Sequence, residues 1–205
     1  MTATTKSTAT KLFTMAAASL LLGASALAAP GNAKPKPVKV PMHQLTPEGV
    51  AASVGTVTVR QTKDGLELAV ELTGLTPGEH GFHLHENASC EAAEKDGKTV
   101  PGQAAGPHWD PDAAKAHKGP GGGGHKGDLP KLVVPEKGKL RVKIPVSGLT
   151  LADVAGKSLM VHAGGDNYSD APKPLGGGGD RIVCGVIPAP GATPVGGAPV
   201  PAPAK

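Results

Sequence analysis

Apolar side chains recur at every second position in three runs of this chain: Val57 and Val59 in SVGTVTVRQ, Leu66, Leu68, Val70 and Leu72 in GLELAVEL, and Val142, Ile144 and Val146 in RVKIPVS. A strand points successive side chains to opposite faces, so each run predicts a strand with one face in a core and the other in water. Lys63-Asp64-Gly65 separates the first two runs and predicts the turn of a hairpin. Shorter apolar segments near 39–45, 79–86, 131–135, 158–163 and 181–187 raise the expected number of strands to about eight. No helical run competes with them, which predicts an all-β sandwich or barrel.

The ends of the chain follow other rules. Residues 1–28 carry Lys6 and Lys11, then the apolar stretch LFTMAAASLLLGASALA ending in Ala26-Leu27-Ala28. That is the layout of a secretory signal peptide cleaved after Ala28. The stretch is short and broken by Ser and Gly, so no transmembrane segment is expected in the mature chain. Ala29–Pro41 and Pro188–Lys205 are rich in proline and poor in large apolar residues, which predicts a flexible Pro/Lys-rich linker over 29–41 and a disordered Pro/Ala/Gly-rich tail over 188–205. Residues 42–187 remain, the size of one domain. Loss of Lys6 and Lys11 leaves 19 basic against 17 acidic residues, a net charge of +2. That balance gives no reason to expect a nucleic acid or a membrane as partner. Export also favours a disulfide between Cys90 and Cys184, the only two cysteines. Aromatic residues are scarce, with Phe82, Trp109 and Tyr168 alone beyond residue 28, so a core must be built from Val, Leu and Ile.

Histidine changes the picture more than charge does. His83 and His85, in GFHLHE, would share one strand face while Phe82 and Leu84 point into the core. Between Gly102 and Leu132 the chain holds too much Gly and Pro for a helix or strand interior, so it reads as a long loop. His108, His117, His125 and Asp128 fall along that loop at gaps of 9, 8 and 3 residues. Three imidazoles and a carboxylate suit a closed, tetrahedral structural zinc site, which would give the loop a reason to be ordered. With His162 the chain offers seven candidate ligands, enough for two metals with one histidine shared. The glycine runs Gly121–Gly124 and Gly176–Gly179 read as conformational freedom rather than chemistry.

These segments carry a resemblance. GFHLHENASC (81–90), AGPHWDP (105–111), GHKGDLP (124–130), VHAGGDNYSD (161–170) and PLGGGGDRIVCGVI (174–187) resemble the bacterial secreted or periplasmic copper,zinc superoxide dismutases, over about Met42 to Ile187. The resemblance implies an eight-stranded Greek-key β-barrel or sandwich with long metal-binding loops. It implies one copper ion held by His83, His85, His108 and His162, and one zinc ion held by His108, His117, His125 and Asp128, with His108 bridging the two. Asp166 would join the far ring nitrogens of His83 and His117, and Arg181 would hold a small anion beside the copper. His80 would tie loops together through backbone carbonyls, whereas His43 reads as a solvated histidine near the first strand. The implied reaction is dismutation of superoxide to dioxygen and hydrogen peroxide by a copper redox cycle beside a structural zinc, with Arg181 and His108 as catalytic residues. The expected location is the periplasm, cell envelope or extracellular space, as a monomer or homodimer. Two other classes share part of the pattern. A secreted protein that buffers copper and zinc would need the ligands but not Arg181. A copper chaperone of this fold would be expected to lose ligands or gain a thiol pair, and neither is seen.

Overall fold

The computed structural model describes residues 1–2 and 35–189. The expected signal peptide over 1–28, beyond its first two residues, the linker up to residue 34 and the tail from residue 190 lie outside the described residues.

The alternating runs become strands. In chain order these are β1 (Val38–Thr46), β2 (Gly49–Gln61), β3 (Gly65–Thr73), β4 (Gly78–His80), β5 (Phe82–His85), β6 (Ala93–Lys95), β7 (Lys98–Val100), β8 (Leu132–Val134), β9 (Lys139–Ser147), β10 (Ser158–His162) and β11 (Arg181–Val186). Seven form one antiparallel sheet in the order β5-β10-β11-β1-β2-β3-β9, while β4 pairs with β8 and β6 with β7. The segment expected at 79–86 is split at Gly81, so β4 and β5 carry one stretch of chain from the small sheet into the large one and the surface curls. Among the described residues helix is confined to the single turn α1 (Leu151–Val154), capped by Thr150 and Asp153, and two short 3-10 turns.

Register brings the predicted apolar positions together. Val57 lies opposite Val70, and Leu68 is flanked by Val59 and Ile144. These residues join Val40, Leu72, Phe82, Leu84, Leu132, Leu159 and Val161 in one core, with Phe82 its only buried aromatic of the Phe/Tyr/Trp type. Val142 departs from expectation and is 36% exposed. Its strand is the last in the sheet and pairs only with β3 among the described residues, so that face is not fully covered.

Three boundaries differ from the sequence-based expectation. The linker expected over 29–41 ends early, because β1 begins at Val38 and its Val40 is fully buried. Pro41 is tolerated there because pairing with β11 starts only at His43, leaving β1 paired on one side at the proline. The hairpin β6–β7 was not expected, and its residues are mostly exposed and charged. Its turn has Asp96 at φ 52° and Gly97 at φ 71°, the geometry that an Asp-Gly pair favours. Eleven strands stand among the described residues where about eight were expected, owing to that hairpin and the break at Gly81.

Cys90 and Cys184 form the expected disulfide. It lies in a second, smaller core with Leu45, Ala105 and Met160, and ties the loop after β5 to β11.

Candidate metal centre

The free edge of β5 organises the centre. In the large sheet β5 pairs with β10 alone, and two segments of the 102–131 loop dock along its other side. Leu84 N–H donates to Gly127 O (2.9 Å), Trp109 N–H to Leu84 O (2.9 Å) and Gly127 N–H to Trp109 O (2.9 Å). Through these bonds His85 stands opposite His108 and His83 opposite Asp128. Only glycine fits at 127, where a Cβ would come within 2.3 Å of Leu84 O. On the other side of β5, Met160 lies opposite His83, and His162 ends β10 opposite Arg181.

The ring nitrogens separate into two kinds. One nitrogen of each of four histidines donates to an oxygen that can only accept: His83 Nε2 to Asp166 Oδ2 (2.7 Å), His117 Nε2 to Asp166 Oδ1 (2.8 Å), His85 Nδ1 to Gly106 O (2.9 Å) and His162 Nδ1 to Gly179 O (3.1 Å). Those partners fix the tautomers and leave a lone pair on each opposite nitrogen. His83 Nδ1, His108 Nε2 and His117 Nδ1 are buried with no hydrogen-bond partner. His85 Nε2 and His162 Nε2 face each other at 3.4 Å. Around Asp128 Oδ1 gather His117 Nδ1 at 2.9 Å, His108 Nδ1 at 3.1 Å and His125 Nδ1 at 3.2 Å.

Two donor sets result. His83, His85, His108 and His162 form one, and His108, His117, His125 and Asp128 form the other. Within each set the ligand atoms lie within 4.8 Å of one another. All seven residues are buried except His125, which is partly exposed. A buried polar atom without a partner is costly, and several convergent lone pairs without protons between them call for a cation.

Ionisation favours the ligating form at most of these groups, with His117 the exception. Burial lowers the pKa of His83, takes His85 well below its ordinary value, and brings His108 to about 4 and His162 to about 3. Burial pulls His117 down as well, but the Asp128 and Asp166 carboxylates beside it outweigh burial and raise the pKa to about 9, so this ring is protonated in the metal-free protein and a bound cation must displace a proton from it. For Asp128 and Asp166 burial pushes upward, yet their imidazole partners hold both carboxyls well below the usual range. Neutral imidazoles and ionised carboxylates are the forms that bind metals.

Residues 53–187 match the family model for copper/zinc superoxide dismutase. The chain belongs to this dismutase family. It is 51% identical over 150 residues to a copper-zinc superoxide dismutase of Escherichia coli (strain K12), covering 73% of this chain and 87% of that one. The copper/zinc superoxide dismutase structure from Brucella abortus is 50% identical and superposes with a TM-score of 0.73, covering 74% of this chain and 99% of the other. The monomeric copper, zinc superoxide dismutase of Salmonella enterica is 49% identical with a TM-score of 0.66, over 74% and 99% of the two chains. Membership makes the chain an oxidoreductase with copper and zinc as cofactors, and the two buried donor sets fit two ions.

The other residues singled out in the sequence have the following surroundings. Asp166 spans His83 and His117. Gly176 lets it do so, since a Cβ there would come within 2.8 Å of His117 Nε2 and closer still to Asp166. Arg181 donates from Nη1 to Gly102 O (2.6 Å) and from Nη2 to Gly106 O (2.7 Å). Gly106 O therefore joins the guanidinium to the His85 ring. His80 Nδ1 reaches His162 O at 2.7 Å and its Nε2 reaches Thr76 O at 2.9 Å, the expected loop tie. His43 is not solvated as expected, being half-buried with Nδ1 3.3 Å from Ala51 O. The β-bulges that β1 makes on either side of this residue bring it against β2. The Gly106 carbonyl was not foreseen, because no side chain announces a backbone acceptor.

The metal-free protein is expected to lose stability as the pH falls from about 6.5 towards 4. Over that range the unfolded histidines take up protons that His83, His85, His108 and His162 refuse when folded. His117 has the opposite sign, but its contribution is complete below 6.5 and is lost only as the pH rises through about 9. The stabilisation from Asp128 and Asp166 begins to be lost only as the pH enters the ordinary carboxylate range at about 4, and the loss continues below it, so it adds to the fall at the acid end of this window. Urea unfolding of chelator-stripped protein at several pH values measures this, and a flat or rising midpoint on acidification would contradict it.

Proposed function

We propose that the chain dismutes superoxide to dioxygen and hydrogen peroxide, with copper in the all-imidazole set and zinc in the set that includes Asp128. The sharing of His108 carries this reading: its Nδ1 lies 3.1 Å from Asp128, and its Nε2 is the buried atom left for the other set. Three imidazoles and a carboxylate suit a structural zinc, whereas imidazole alone suits copper. Bound copper would supply one-electron chemistry, oxidising one superoxide to dioxygen and reducing a second to peroxide with two protons, while zinc, having no accessible redox state, would supply charge and rigidity.

The chain's own groups do the rest. His108 Nε2 is an atom at which one of the two protons can be held for delivery. Arg181 stays charged although burial lowers its pKa. Two of its five N–H donors are spent on Gly102 and Gly106, and three remain free among the described residues to meet a small anion. A protein that only buffers metal has no use for such a cation beside the His85 and His162 rings.

The wider reading keeps an eight-stranded Greek-key barrel, with the β6–β7 hairpin as an addition to it. It also keeps a signal peptide over 1–28, a short linker, a catalytic domain to residue 187 and a tail over 188–205, with export to the periplasm or beyond. Every donor comes from one chain, so a monomer or a homodimer would serve equally.

Stopped-flow decay of superoxide by protein loaded with both metals is the test. Full metal content without acceleration would leave the buffering reading. Arg181→Ala is expected to keep both metals, lower kcat/KM by about 10-fold or more and flatten its dependence on ionic strength, because local steering is screened over about 8 to 10 Å at ordinary salt. Unchanged kcat/KM would remove Arg181 from the mechanism.

A further inference from the structure

His117 is held at two points by one loop. Asp166 accepts its ring Nε2–H, and four residues later the exposed Asp170 accepts its main-chain N–H on Oδ2 at 2.8 Å. The other oxygen, Asp170 Oδ1, accepts the N–H of Leu175 at 3.0 Å. Tyr168, between the two carboxylates, donates its N–H to Asp166 Oδ1 at 2.8 Å and accepts the N–H of Lys131 on its hydroxyl at 3.1 Å. Its side chain lies over Gly119, where a Cβ would come within 2.6 Å of it.

Among the described residues, Asp170 makes the only side-chain to main-chain hydrogen bond that joins the 110–124 loop to the 166–177 loop. The bond falls on the residue whose ring faces both Asp128 and Asp166. His117 Nδ1 lies 2.9 Å from Asp128 Oδ1 yet makes no hydrogen bond to it, so that contact alone does not fix the ring. Its direction follows from the Asp166 bond at one end and the placement of its own backbone at the other. The carboxylate is a strong acceptor for the latter because it is charged, and its second oxygen anchors it to the N–H of Leu175.

We propose that Asp170 is a positioning residue for the zinc-side donor set, acting through the main-chain N–H of His117. The proposal rests on the reading that His117 ligates zinc. Asp170 touches no donor atom of the set; it sets where the His117 ring stands.

The test uses full-length protein loaded with both metals, with zinc release to a chromogenic chelator as the first readout. The second is the visible spectrum of protein carrying Co(II) in place of zinc, which reports donor geometry independently of turnover. Asp170→Ala is expected to release zinc about 10-fold faster and to shift the Co(II) bands, with copper content and the Cu(II) signal retained, in line with the effect of groups that orient metal ligands. Asp170→Asn keeps one acceptor oxygen and should fall between the two. Wild-type release and an unchanged Co(II) spectrum in Asp170→Ala would overturn the proposal, and so would equal loss of both metals, which marks general loosening. His117→Ala separates the two levels. Zinc retained there removes the zinc reading and this proposal with it, whereas zinc lost there but held normally in Asp170→Ala removes only the role of Asp170.

Discussion

His108→Ala is expected to abolish superoxide turnover and to release zinc in the same protein, whereas His162→Ala should abolish turnover and leave zinc in place. The difference follows from membership of the two donor sets, since His108 is the one residue in both and His162 belongs to the all-imidazole set alone. Loss of a direct ligand should exceed the 10- to 100-fold effects typical of groups behind the ligands, so activity is expected to drop by more than about 100-fold in each variant. Metal analysis distinguishes them. His108→Ala should show a changed Cu(II) spectrum and reduced zinc together, and His162→Ala a copper defect with zinc near its full content. If His108→Ala retained zinc at wild-type affinity, the shared-ligand reading would fail and a pair of independent sites would replace it.

The second large effect is on stability. Cys90 and Cys184 are 94 positions apart in sequence, and their bond closes most of the catalytic domain into a loop. Chain entropy assigns such a cross-link about 4 to 5 kcal/mol, an upper figure because denatured chains retain some structure. Beyond that, the cysteines share a small core with Leu45, Ala105 and Met160, and Ala105 lies between the two glycines whose carbonyls hold Arg181. Cys90→Ala combined with Cys184→Ala should therefore lower the urea midpoint steeply and also weaken the ionic-strength dependence of kcat/KM. An unchanged midpoint would show that the cores alone hold this loop.

Strand positions were legible in the sequence because period-two patterns record burial directly, as in Leu66, Leu68, Val70 and Leu72, all of them buried. The grouping of the candidate donors was legible because imidazole spacing follows strand parity at His83 and His85, and because a Gly/Pro-rich loop bearing three histidines and an aspartate has few other uses. What was not legible depends on groups that sequence does not display. The Gly106 carbonyl, which receives both His85 and Arg181, belongs to every residue's backbone. Asp170 reads as one more polar residue in a turn until its bond to His117 is seen. The linker expected to residue 41 overlaps the strand expected from 39, because prolines run into the start of β1, and His43 is not solvated as expected because nothing in its neighbours foretells a bulge.

The pairing of β5 with β10, and the docking of the loop on the far edge of β5, bear on the order of events as the protein matures. His83 and His162 are 79 positions apart in sequence and become neighbours only after β5 and β10 are paired. His108 and Asp128 arrive only when their segments settle against Leu84. An extended chain thus offers the ions nothing better than scattered imidazoles, and the ions would join a scaffold whose strands are already paired. Occupancy would accordingly be written into how slowly the protein comes apart rather than how quickly it forms, and its lifetime would be set by the metal supply of the compartment in which folding finishes.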